Sequence, residues 1–162
     1  MSVTSRILTS LISVVMPMMV ATTALAADAG LITKPSRYSA NETITRFEAA
    51  VKSKAGAGLK VFTRIDHAAA AKEAGLEMRP RTVIVFGNPR QGTPAMVKTP
   101  LLAIDLPMKV LVWEDDQARV WLSYNSANYL HHTILPRHGL PETAPPEAVV
   151  KLLDGLTNQA TK

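Results

Sequence analysis

Proton transfer near neutral pH needs an imidazole, and a carboxylate beside it can hold one tautomer in place. Asp66 followed directly by His67 is the pair in this chain that could do such chemistry. Adjacent residues seldom face each other, however, and Asp66 also stands where a helix requires an N-cap. The expected arrangement is therefore a capping aspartate and a hydrogen-bonded histidine. The rival is acid and base catalysis by His67 on a small polar substrate, with Asp66 in support and Glu114 and Tyr124 converging on it.

Two further groups carry polar chemistry. Asn88 to Thr93, within GNPRQGTP, form a polar turn whose backbone amides could receive an anion, with Asn88, Arg90 and Thr93 as its ligand-binding candidates. The turn lacks the lysine and following hydroxyl of a phosphate loop, so tight turning and capping are its expected work. His131, His132 and His138 are the candidates for a metal, copper or zinc being the ions imidazole suits. Pro136 and Gly139 interrupt any helix that would align His131 with His138, and no cysteine or close carboxylate completes a set. The expected number of metal sites is zero, and the sequence names no cofactor.

These groups need a scaffold, and the first residues concern its delivery. Arg6, the apolar run Ile7 to Ala21, and the small residues Ala24 and Ala26 read as a secretory signal over residues 1–26. The alternative is a retained anchor, because roughly 20 apolar residues suffice to span a bilayer. With the signal removed, residues 27–162 form one domain, periplasmic or secreted. Losing Arg6 alone lowers the formal charge from +5 to +4. Its cations are scattered rather than clustered, which argues against a nucleic-acid partner and leaves the signal segment as the expected membrane contact. The chain has no cysteine, so stability comes from the core, and thiol nucleophiles, thiolate metal sites and c-type haem attachment are excluded.

Local patterns then predict the elements. Leu31 to Tyr38 read as an edge strand because Lys34 and Pro35 break its pattern. Ser39 and Glu42 make a capping box ahead of Ile44, Phe47 and Val51 at helical spacing. Leu59, Val61, Thr63 and Ile65 alternate as the core face of a strand, Asp66 caps a short helix, and Gly75 stops it. Thr82 to Phe86 is expected to be a central strand covered on both faces. Thr93 with Pro94 and Thr99 with Pro100 each predict a helix start. Met108 to Trp113 and Val120 to Tyr124 form a hairpin, a helix through Leu130 to Thr133 stops at Pro136, and Pro145 and Pro146 open a last helix with Val149, Leu152, Leu153 and Leu156 on one stripe.

Three motifs in this order, DHAAAAKEAGLEMRP from Asp66, VFGNPRQGTPAM from Val85, and DLPMKVLVWEDD with VWLSY from Asp105, closely resemble the family catalogued as domain of unknown function 302. The resemblance implies an α+β fold, a two-layer domain with helices packed on a mainly antiparallel sheet, and often a homodimer. It implies no reaction. Many relatives carry glycine where this chain has Ala118, so a looser hairpin connection is expected here if that turn needs a positive φ. Structure-specifying motifs without a nucleophile and base point to a non-enzymatic module that binds a small ligand or an envelope protein. The acid and base enzyme and the histidine metal protein stand as alternatives.

Overall fold

The computed structural model describes residues 30–162; the segment expected to be a secretory signal lies outside the described residues. Strands β1 (Leu31–Pro35), β2 (Lys60–Asp66), β3 (Arg81–Gly87), β4 (Met108–Glu114) and β5 (Val120–Asn125) form one antiparallel five-stranded sheet in the order β1-β5-β4-β3-β2. As Pro35 favours, β1 lies at an edge. The middle position belongs to β4 rather than to β3.

Helices α1 (Ala40–Ser53) and α6 (Glu147–Thr161) cover one face of that sheet. Ser39 accepts the amide of Glu42 at 3.2 Å and starts α1. The inward stripe of α1, Ile44, Phe47 and Val51, then meets Ile84, Phe86, Val110, Val112 and Leu122 of the strands, with Leu153 and Leu156 of α6 closing the core. Phe47 and Phe86 pack edge to face with centroids 5.1 Å apart. This is the two-layer α+β domain expected from the sequence.

Between the strands, α2 (His67–Glu73) joins β2 to β3. The path from β3 to β4 runs through α3 (Pro89–Lys98) and a 3-10 turn (Pro100–Ile104). After β5 the chain winds through α4 (Ala127–Tyr129), a π-helical turn (Leu130–Ile134) and α5 (Leu135–Arg137).

Three local expectations are corrected. A bulge between Val61 and Thr63 resets β2, so Ile65 faces away from the core opposite Val83 while Arg64 turns inward to pair with Glu48 of α1. Asn88, not Thr93, caps α3, and Pro94 sits inside that helix. Pro136 does not stop the helical stretch, which continues to Arg137 before Gly139 turns it at a φ of 76°.

Candidate functional site

Strand register separates the sequence-derived candidates. Asp66 is opposite Thr82, at the sheet end where Glu114 meets Val120. Tyr124 is opposite Val110, four residues along from Glu114, or about 14 Å in a strand. Asp66 caps α2 by accepting the amides of Ala68 and Ala69, both at 3.0 Å. The His67 side chain is exposed and makes no hydrogen bond among the described residues, contrary to the expected satisfied histidine. Glu114 accepts from Arg79 at 2.8 Å, and the Tyr124 hydroxyl donates to Asp154 at 3.5 Å. Tyr124 therefore does not converge with His67 and Glu114.

Asn88 is spent on structure. Its Oδ1 accepts the Arg90 amide at 3.0 Å while its Nδ2 donates to the Ala57 carbonyl at 2.8 Å. Gly58, at a φ of 89°, admits this contact, since a Cβ there would stand 2.9 Å from Asn88 Oδ1. Arg90 and Thr93 are exposed on α3.

The histidines disperse as well. His131 pairs with Thr143 at 3.1 Å and His132 with Glu142 at 2.8 Å. Burial, and then the neighbouring charge of His132, lower the His131 pKa. Among the described residues no three of His, Asp and Glu come together as a metal set. His138 does something different. Its Nε2 lies 2.6 Å from Asp105 Oδ2, with the imidazole only 6% exposed and the aspartate side chain 20%.

Asp105 ends the 3-10 turn and His138 follows α5, so the sheet and the 127–137 segment bring together residues 33 apart. Arg137 Nη1 stands 3.6 Å from Asp105 Oδ1. The hydrogen bond from His138 is the main cause that holds the Asp105 carboxyl below its usual range; burial opposes it, and the charges of Arg137, His138 and Lys109 assist. Lys109 donates to the carbonyls of Asp105 at 2.9 Å and Pro107 at 3.1 Å, which fixes the turn that carries the aspartate.

Asp105 and Lys109 border a cleft of about 130 Å³ whose wall mixes polar and apolar groups, Asn125 and Ser126 standing beside Leu106, Met108, Leu130 and Ile134. Ser126, buried, caps α4 by accepting the Tyr129 amide at 3.1 Å and sets Tyr129 on the rim. Gly30 backs that ring so closely, at a φ of 80°, that a Cβ would come 2.3 Å from Tyr129 Cβ. Sequence reasoning saw His138 only as a metal candidate and Asp105 only as part of a motif. Nothing local signals their pairing.

The family model of "Domain of unknown function DUF302" matches residues 32–159, which include the whole sheet apart from Leu31, the cleft and the Asp105–His138 pair. The chain belongs to the DUF302 family. The crystal structure of an uncharacterized conserved DUF302 protein from Bacillus stearothermophilus shares the fold at a TM-score of 0.57, with 17% identity over 82% of this chain and 93% of that one. Over 103 residues this DUF302 chain is 48% identical to the fluoride-specific ion channel FluC 1 of Brucella suis biovar 1 (strain 1330). It has the same identity to the fluoride-specific ion channel FluC 2 of Brucella melitensis biotype 1. Those 103 residues are 64% of this chain but only 39% and 37% of the two relatives, so the chain spans less than two fifths of their length.

Proposed function

We propose that this DUF302 domain is an exported, non-enzymatic binding module whose cleft takes a small polar molecule bearing hydrogen-bond donors. The carrying observation is Asp105, an ionised acceptor on the cleft wall, held by His138 and Arg137. A preoriented carboxylate selects donors and repels anions, while the apolar part of the wall leaves room for a small hydrocarbon body. The volume of about 130 Å³ restricts the occupant to a few heavy atoms inside, with the remainder in solvent. Incubation with periplasmic extract followed by native mass spectrometry tests this reading. A retained donor-bearing molecule, bound at least tenfold more weakly by Asp105→Asn, is expected. An empty wild-type cleft overturns it.

The Asp105–His138 contact favours a second reading, an acid and base enzyme centred on His138 rather than on His67. Turnover in the same extract with a bell-shaped pH profile, lost in His138→Ala and kept in His67→Ala, would replace the binding reading.

Homodimerisation belongs to the same proposal and rests on the family likeness alone, because the apolar stripe of α6 is used within the core. Sedimentation at micromolar concentration checks it.

The FluC relatives bear on context. Ion conduction needs a path through the bilayer, and among the described residues no helix is long and apolar enough to cross one, while the sheet is open at β1 and β2. We assign conduction in those relatives to the part outside the matched segment, and an accessory binding role to the matched domain.

A further inference from the structure

The core uses one face of the sheet, and the opposite face holds the chain's two tryptophans, Trp113 and Trp121. Their rings stack with centroids 6.1 Å apart. Both indole N–H groups are satisfied from within, Trp113 by Ser123 Oγ and Trp121 by Asp115 Oδ2, each at 2.9 Å. The rings therefore offer an apolar surface without an unmet donor. On the same face Leu31 is 60% exposed and Ile65 46%, and Leu111 on the middle strand is only half-buried. A shallow groove of about 330 Å³ runs along this face. A largely apolar groove on a sheet centre, edged by Thr33, Ser123, Asn125 and Lys109, marks a surface suited to a partner.

Its charge is of one sign. Arg81, opposite Trp113, is exposed and has no ion-pair partner among the described residues. Lys60 Nζ lies 4.7 Å above the ring of Phe62, itself 43% exposed, and Arg119 lies 5.4 Å from the ring centre of Trp121. Strand positions pointing to this side carry no aspartate or glutamate, and the adjoining carboxylate, Asp115, is consumed by Arg119 and Trp121.

We propose that this outer sheet face docks on an anionic lipid surface, the tryptophans at the interface and Lys60 and Arg81 against the headgroups. Indole rings favour that interface, and each nearby cation adds attraction to a negative leaflet. Two copies placed face to face would oppose cation to cation, which disfavours a second copy as the occupant. The apolar run from Ile7 to Ala21 lies nine residues ahead of β1, which is at the rim of this face, so an apolar segment and the docking surface belong to the same end of the domain. Membrane contact then extends beyond the N-terminal segment and does not use Asp105, although the groove and the cleft share Lys109 and Asn125.

Because both tryptophans lie here, their emission reports docking without a label. The full chain mixed with phosphatidylglycerol-containing vesicles is expected to show a blue shift that phosphatidylcholine vesicles and inorganic phosphate do not produce, and that salt reverses. In the full chain, Arg81→Gln with Lys60→Gln should weaken partitioning about 25-fold, at about fivefold per cation, with circular dichroism unchanged. The variant keeps the N-terminal segment, so only the difference from wild type counts. Equal partitioning of variant and wild type, equal shifts with both vesicle types, or a vesicle-independent shift that follows self-association in sedimentation would each overturn the proposal. Ile65→Ser, which spares every cation, should also lower partitioning; unchanged partitioning counts against it.

Discussion

Ala118 takes a φ of 59° in the β4–β5 connection, a left-handed conformation that costs an L-residue about 1–2 kcal/mol. The looser connection expected for alanine does not form, because Asp115 over-determines the turn. Its Oδ1 accepts the amides of Gln117 at 3.0 Å and Arg119 at 2.9 Å, and its Oδ2 accepts from Arg119 Nε at 2.8 Å and Trp121 Nε1 at 2.9 Å. Ala118→Gly should raise stability by about 0.5–1 kcal/mol in urea unfolding, the relief of strain being offset by glycine's freer unfolded state. Burial works to raise the Asp115 pKa, but the hydrogen bonds from Trp121, Arg119 and Gln117 outweigh it and hold it at about 2. A folded pKa below the unfolded value of about 3.9 gives stability that is present above about pH 4 and is lost as pH falls toward about 2. Urea midpoints of wild type and Asp115→Asn should accordingly differ at neutral pH and converge in acid. A gap that persists unchanged at about pH 2 contradicts the assignment.

Elements show how far local pattern carries. Asp66 as a cap is purely local, so Asp66→Ala should cost about 1 kcal/mol of stability while leaving cleft binding unchanged, in contrast to Asp105→Asn. Comparing both variants by thermal denaturation and by ligand retention separates a structural aspartate from a functional one. The start of α1, the stripe of α6 and the edge position of β1 were legible for the same reason: capping, helical spacing and a proline act within a few residues. The face of β2 was not, because one bulged residue reverses every side chain beyond it and Thr63 alternates as well in either phase. The start of α3 was misplaced since Asn88 and Thr93 are both good caps, and the contact of Asn88 with Ala57, set by tertiary packing, decides between them. Of the candidate site, His138 was visible only as a titratable residue. Its partner Asp105 is 33 residues away, and periodicity carries no information about such a pairing.

At the scale of the whole molecule, a single core between α1, α6 and the sheet positions two surfaces that adjoin at Lys109 and Asn125, a cleft bordered by Asp105 and a basic aromatic face. Core loss should affect both together: Phe47→Ala, at a fully buried position against Phe86, is expected to cost about 3–5 kcal/mol and to weaken every binding function in proportion to unfolding. The relation to the fluoride channels makes a sharper separation possible. If fluoride were the ligand of this domain, a concentration ten times its dissociation constant would stabilise the fold by about 1.4 kcal/mol, a shift of several degrees in Tm. Asp105 is ionised at neutral pH and faces the cleft, so it opposes a small anion, and the Lys109 ammonium beside it is already directed to two backbone carbonyls. Sodium fluoride should therefore leave Tm where the same concentration of sodium chloride leaves it, in wild type and in Asp105→Asn alike. A fluoride-specific rise in wild type would move the anion site into this domain and contradict the assignment of conduction to the remainder of the longer relatives. A rise seen only in Asp105→Asn would contradict the second half of this prediction and show that the carboxylate alone keeps an anion out of the cleft.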